Sequence, residues 1–250
     1  MAIYSHSKLS CYQTCPKAFF FKYVKRARPL KVESAERLTG WLVHKALENL
    51  YLKPSMQKNF SCVQAFFQSS WKARWHDKVV LSEGKNPEYY KDHGEKCLES
   101  HWKYFLQDSA QTVATEKRVF PDLFQDGKYK LVGVIDRIAV QGNTLQVHDY
   151  KTSSELPSFE DLESNRQAVL YKLGASQKWS LKTALYWHFL SFGKIFRFSP
   201  SEKQVRKVAS QTASLIDEVE HSCEKQRFDA KKSEFCVLCE FQLHCIKPQG

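Results

Sequence analysis

The sequence predicts an α/β fold: a mixed central sheet flanked by helices, with a helical insertion placed ahead of the sheet. Three observations predict it. The stretch from Thr112 to Thr152 reads as a strand meander broken by turn signals, a helix and two further strands follow it, and the residues before it carry helical apolar spacing. The 250 residues can bury a sizeable core as one domain. Hydrophobic content of 42% and charged content of 26% are those of an ordinary globular chain.

In chain order, Ser10–Val24 reads as a short helix crowded with aromatics, and 10–24 is set aside as one end of a cysteine site. A second helix, Leu38–Leu52, repeats Leu42, Leu47 and Leu50 on one face. From Phe60 to Leu106 two helical stretches are parted by the breaker cluster Ser82–Pro87, and residues 53–111 together form the helical insertion. Strands are expected at Thr112–Phe120, Tyr129–Val140 and Leu145–Thr152, the first two joined across Asp126-Gly127. Then come a helix at Phe159–Gln177, a strand at Thr183–Ser191, another after Gly193, and a long helix at Ser201–Gln226. The stretch 235–245 is a cysteine-rich loop. No internal repeat, low-complexity tract or linker divides the chain, so 1–250 is expected to be a single domain.

The net charge of +11 favours a polyanionic partner, nucleic acid first, and 17 Phe, 11 Tyr and 6 Trp leave stacking platforms available. No apolar run is long enough for a signal peptide or for the roughly 18 residues of a membrane span. A cytoplasmic, reducing setting without a membrane is therefore expected. There, eight cysteines speak for metal rather than disulfides.

The chemistry concentrates in one hairpin. Gly142-Asn143 is a two-residue turn signal with glycine at the first central position, as a type II′ turn requires. The register that pairs Gln141 with Thr144 sets Asp136 opposite Asp149, with Cβ atoms roughly 4.5–5.5 Å apart. By alternation Asp136 shares a face with Val132, Val134, Ile138 and Val140, and Asp149 with Leu145, Val147 and Lys151. Arg137 falls on the other face. Opposed like charges on an apolar surface destabilise unless a cation lies between them. A divalent cation held by both carboxylates, with Lys151 beside it, meets that need; the plain alternative is a pair of solvated hairpin-edge acids.

A second cluster is Cys236-x-x-Cys239 followed by Cys245, a compact three-thiolate set. Its fourth ligand must come from elsewhere, and Cys15, just before Pro16, is the choice, with Cys11 a competitor on the same helical face. Four cysteines suit structural zinc as well as an iron–sulfur cluster. Cys62, Cys97 and Cys223 have no partner pattern and read as buried hydrophobes.

Asp136 followed by Asp149-Tyr150-Lys151 resembles the motif of the PD-(D/E)xK nuclease superfamily, and further matches resemble its RecB-like branch. "GWLVHKALENL" is similar to that branch's first motif, with Gly40 ahead of His44; "QAVLYKLG" is similar to its Gln-x-x-x-Tyr motif, through Gln167 and Tyr171; "SCYQTCPKAFFFKYV" is similar to its N-terminal Cys-Pro-aromatic segment. The cysteine set resembles the iron–sulfur nucleases of the branch, the AddB nuclease domain and CRISPR-adaptation nucleases. The resemblance implies a restriction-endonuclease-like core with a four-cysteine cluster joining the termini. It implies that His44, Asp136 and Asp149 ligate Mg²⁺ or Mn²⁺ and that Lys151 orients or activates the attacking water. Glu116 stands on the preceding strand as an outer candidate. Gln167 and Tyr171 are implied to position DNA, and Cys15, Cys236, Cys239 and Cys245 to hold a [4Fe–4S] cluster, with zinc as the alternative. The implied activity is a metal-dependent, single-strand-preferring DNA exonuclease of DNA repair, recombination or CRISPR adaptation. The rival readings are a non-catalytic DNA-binding subunit of a helicase or integrase complex, and an RNA-processing metalloenzyme sharing the same metal chemistry.

Overall fold

The computed structural model describes residues 2–29, 33–53, 58–234, 236 and 239–246. Its centre is a five-stranded sheet in the order β3 (Gln111–Val119), β4 (Gly133–Gln141), β5 (Thr144–Lys151), β6 (Lys182–Phe189) and β7 (Lys194–Phe198). Only β5 and β6 run parallel; the other neighbours are antiparallel. The α/β class and its mixed sheet flanked by helices are as the sequence predicts. Gln141 pairs with Thr144, Gly142 takes φ 56° and Asn143 stays out of the left-handed region. A two-residue II′ turn needs that combination, and a side chain at position 142 would be strained.

The N-terminal segment corrects one expectation. The single helix expected over Ser10–Val24 is two, α1 (His6–Thr14) and α2 (Pro16–Phe19), followed by a π-turn at Phe20–Val24. Ser5 caps α1 by accepting from the Lys8 amide, and the helix stops at Cys15, which is extended at φ −158° and ψ 110°. Pro16 is the cause: its ring crowds the residue before it out of the helical region, while its fixed φ suits the first position of the next helix.

Helix α3 (Ala35–Leu52) follows a two-residue strand, β1 (Glu33–Ser34), that pairs with β2 (Val79–Val80). The proposed insertion carries α4 (Phe60–Arg74) and α5 (Pro87–Phe105); its residues 54–57 lie outside the described ones. Apolar faces of α3, α4 and α5 pack on one another through Leu38, Leu42, Leu47, Phe67 and Leu98. The second strand starts at Gly133 rather than Tyr129. Residues up to Val132 are held instead by the N-terminus, Tyr4 bridging Leu131 in parallel, so Asp126-Gly127 is no tight hairpin.

The helix expected over Phe159–Gln177 is split into α6 (Phe159–Glu163) and α7 (Arg166–Ser176), because Asn165 starts a new helix by capping the Gln167 amide. Apolar side chains of α7 cover one face of the sheet, meeting Ile138, Leu145, Val147 and Leu185. The capped helix α8 (Glu202–Glu224) lies against α7 and the N-terminal segment. The stretch expected as a loop over 235–245 contains a short helix, α9 (Gln242–Ile246), while its residues 235, 237 and 238 lie outside the described ones. No helix among the described residues is long and apolar enough to cross a membrane.

Candidate active site

The β4–β5 ladder ends at Arg137–His148, one pair short of the two aspartates. Beyond it the Asp136 side chain takes over the pairing: its Oδ2 accepts the Tyr150 amide at 2.8 Å. The aspartates therefore stand at the open end of the hairpin, where the strands part. Asp149 is only 2% exposed, and its Oδ1 accepts from Gln167 Nε2 at 3.2 Å. Its Oδ2 lies 2.8 Å from Lys151 Nζ at an angle that leaves the oxygen without an oriented hydrogen bond.

Helices bring the remaining groups. On α3, Gly40 runs so close to the end of β5 that a Cβ there would meet Thr152 Oγ1 at 3.0 Å. One turn later His44 sets Nδ1 3.3 Å from Asp136 Oδ1. On α7, Gln167 reaches back to the sheet: Oε1 accepts from Lys151 Nζ at 2.9 Å, and Nε2 also donates to Tyr171 Oη at 2.8 Å. The Tyr171 hydroxyl donates in turn to the Val134 carbonyl. Gln167 and Tyr171 thus brace Lys151 and Asp149, and Tyr171 is buried.

Glu116 arrives from β3 by a backbone route that alternation does not foresee. It takes φ 46°, a conformation rare for a residue with a side chain. Ligand atoms of His44, Glu116 and Asp136 then lie within 4.8 Å of one another, a group able to hold a metal ion. The sequence had given Glu116 only an outer position, and the fold draws it in.

The electrostatics record crowded negative charge. Burial raises the Asp149 pKa, Lys151 opposes that and nearby Asp136 adds to it; the net shift is upward. Burial also raises Glu116 against the pull of Lys45. Burial alone would lower His44, but Asp136, and behind it Asp149, hold its pKa above the ordinary imidazole value. Three carboxylates and one imidazole suit a hard divalent cation such as Mg²⁺ or Mn²⁺, and Asp149 Oδ2, which faces Lys151 without an oriented hydrogen bond, is an acceptor suited to the same role. The donor set fits the metal the motif implies. All these groups except Glu116 line one open cavity of about 640 Å³.

Arg137 points to the opposite face, as alternation requires. It is 1% exposed, paired with Asp108 at 2.7 Å and bonded to Tyr51, Thr112 and the Ala110 carbonyl. That face also carries a buried layer of His101, His148 and His188.

A second cavity, about 600 Å³, is lined by Cys11, Cys15, Cys236, Cys239 and Cys245. Backbone amides of Lys231 and Ser233 donate to the sulfurs of Cys15 and Cys236, both at 3.4 Å. Burial raises the Cys239 thiol, and the proximity of Cys15, Cys236 and Cys245 adds to the rise. Of the three cysteines expected to be buried hydrophobes, Cys97 is buried, whereas Cys62 and Cys223 are partly exposed on helix flanks.

A family model for the PD-(D/E)XK nuclease superfamily matches residues 3–246. No curated protein matches the chain.

Proposed function

The chain belongs to the PD-(D/E)XK nuclease superfamily, and from that premise we propose that it is a single-strand-preferring DNA exonuclease of the RecB-like iron–sulfur branch. The observation that carries this reading is the meeting of Asp136, Asp149, Lys151 and His44 in one open cavity, each from the motif that implied it. His44, Asp136 and Asp149 would hold Mg²⁺ or Mn²⁺, with Glu116 as a further ligand. A bound metal supplies water activation and neutralisation of phosphate charge. Lys151, fixed by Gln167 Oε1 and facing Asp149, orients the attacking water and meets the charge developing on the phosphate. Gln167 and Tyr171 serve DNA positioning indirectly, Gln167 by fixing the Lys151 side chain and Tyr171 by tying α7 to the Val134 carbonyl of β4. The net charge of +11 gives the phosphate backbone a broad basic partner.

The second cavity would hold a [4Fe–4S] cluster on Cys15, Cys236, Cys239 and Cys245. Amide donors to Cys15 and Cys236 stabilise thiolates there, and the Lys231 amide aimed at Cys15 speaks for Cys15 as the N-terminal ligand. The site would join 10–24 to 235–245 and make 1–250 one nuclease domain, with 53–111 as its helical insertion. Zinc accepts the same thiolates. The enzyme would act in DNA repair, recombination or CRISPR adaptation in the cytoplasm, on single strands supplied by a helicase or integrase partner. The test is digestion of end-labelled single- and double-stranded DNA with Mg²⁺ or Mn²⁺ and an EDTA control. Absence of metal-dependent cleavage of any DNA would sink the reading, and cleavage of RNA alone would move it to RNA processing.

A further inference from the structure

The metal-binding group already has a cation of its own beside it. Glu48 follows His44 by one turn of α3, so both side chains leave the same helix face. Lys45 reaches sideways from that face: its Nζ lies 2.7 Å from Glu48 Oε2 and 3.8 Å from Glu116 Oε1. Among the described residues, no other lysine or arginine pairs with either glutamate. Glu116 is the residue whose left-handed backbone brings it to His44 and Asp136. One ammonium therefore rests on the same carboxylate that a divalent ion would take.

The charges around the site explain what that ammonium does. Asp149 has Lys151 at 2.8 Å, and Asp136 has His44 at 3.3 Å. Glu116 and Glu48 share Lys45 alone. Carboxylates gathered without a cation repel one another, so Lys45 steadies the metal-free protein. The same charge works against loading, because an ion ligated by Glu116 is a close neighbour of the ammonium. A dication and a monocation about 6 Å apart, even at the dielectric constant of water, repel by enough to weaken binding about tenfold. The Lys45 and Glu116 side chains are 33% and 32% exposed, so salt screens this repulsion only in part.

We propose that Lys45 is a resident counter-ion of the metal site: it neutralises Glu116 and Glu48 in the metal-free protein and lowers the affinity for the catalytic divalent ion. This rests on the metal-dependent nuclease reading and deepens it, by naming the residue that sets how much metal the enzyme needs. Lys45 acts through Glu116 and not on the substrate. Removing its charge therefore moves stability and metal affinity in opposite directions. Loss of a merely structural side chain does not do this, since damage to the fold weakens both.

The experiment uses the full chain, purified anaerobically, freed of divalent ions on a chelating resin and kept at low ionic strength. Mn²⁺ alone is the probe, its free concentration read from the electron paramagnetic resonance signal of the unbound ion. Lys45→Met, which keeps the aliphatic stem, is expected to tighten Mn²⁺ binding about tenfold. Lys45→Gln, polar and uncharged, should match it, whereas Lys45→Arg, which keeps the charge, should bind like the parent. Without metal, Lys45→Met should melt lower by about 1–4 °C, and saturating Mn²⁺ should raise its Tm by more than it raises the parent's. The Mg²⁺ concentration giving half-maximal cleavage of single-stranded DNA should fall in step with the affinity. If the parent binds Mn²⁺ and Lys45→Met binds it equally or more weakly, the proposal is wrong and the nuclease reading stands. Tightening by Lys45→Arg as large as that by Lys45→Met would also overturn it, because the charge would then not be the cause. A parent that neither binds Mn²⁺ nor cuts DNA with it ends the nuclease reading, and the proposal ends with it.

Discussion

Acidification should destabilise this protein through three histidines buried on the sheet face opposite the hydrolytic carboxylates. His101, His148 and His188 are each at most 1% exposed and are held neutral: burial is the first cause for all three, and the Arg137 charge adds to it. His101 is pushed down to about 3. The hydrogen bonds agree with neutral rings. His148 Nε2 donates to Gln146 Oε1 at 3.2 Å, so its Nδ1 is a lone pair that accepts from His188 Nε2 at 2.8 Å. The unfolded chain has ordinary imidazoles near pKa 6.5 and takes up protons that the folded state refuses. Stability from these groups is thus complete above pH 6.5 and is lost as pH falls below it. At pH 5.5 an unfolded imidazole is about nine-tenths protonated, which costs the folded state about 1 kcal/mol for His101. His148 and His188 act in the same direction, so the loss reaches a few kcal/mol, a large part of a domain's usual 5–15 kcal/mol. Urea unfolding at pH 7.5, 6.5 and 5.5 measures it. His188→Gln retains a donor to His148 but does not titrate, so its loss should be smaller. His6, pushed down to about 4 first by burial, acts in the same sense. His44 acts oppositely, because its raised pKa gives stability that is present in acid and lost as pH rises through the folded value. Both are common to the two proteins and cancel in the comparison. Equal pH dependence for the two proteins would refute the reasoning.

Other outcomes follow from the site. Asp149→Ala or Lys151→Ala should reduce cleavage to the level seen with EDTA while single-strand affinity, measured by fluorescence anisotropy, stays near that of the parent; full cleavage by Asp149→Ala would remove Asp149 from the site. Glu116→Gly should relieve the left-handed backbone and raise stability by about 1 kcal/mol, or 2–4 °C in Tm, while lowering activity; Glu116→Ala keeps the strain and should not stabilise. Anaerobic purification should give brown protein with iron and acid-labile sulfide in near-equal amounts, and colourless protein with stoichiometric zinc would replace the cluster. Cys15→Ser should abolish the colour and the solubility where Cys11→Ser does not; the reverse would exchange the two ligands.

The hairpin was readable because glycine at 142 permits few turns, and a two-residue turn sets every pair along both strands. That alone placed Asp136, Asp149 and Lys151 on one face and Arg137 on the other. Helix interiors were readable from leucine spacing, but their ends depended on local caps: Pro16 ending α1 at Cys15, and Asn165 restarting a helix after α6. Glu116 was not readable as part of the central group, since period-two alternation assumes regular backbone and its φ of 46° breaks that regularity. The buried histidines escaped for a related reason. Gln146, His148 and Tyr150 alternate with the apolar residues of β5 and look solvent-facing, whereas parallel pairing with β6 marks a strand covered on both sides.

The N-terminal segment has consequences for biosynthesis. Tyr4 donates to Glu220, and Tyr12 bonds Ser222 across a separation of 210 residues, while Phe19 packs on Phe228. At about 5–20 residues per second, synthesis of the intervening chain lasts about 10–40 s. Throughout that interval Leu9, Tyr12 and Phe19 have left the ribosome without their final apolar partners. All of the acidic site has been made by then, but the helix that locks the first residues in place has not. A nascent chain should therefore need a chaperone on this segment, and emergence of α8 and Phe228 should be the event that releases it.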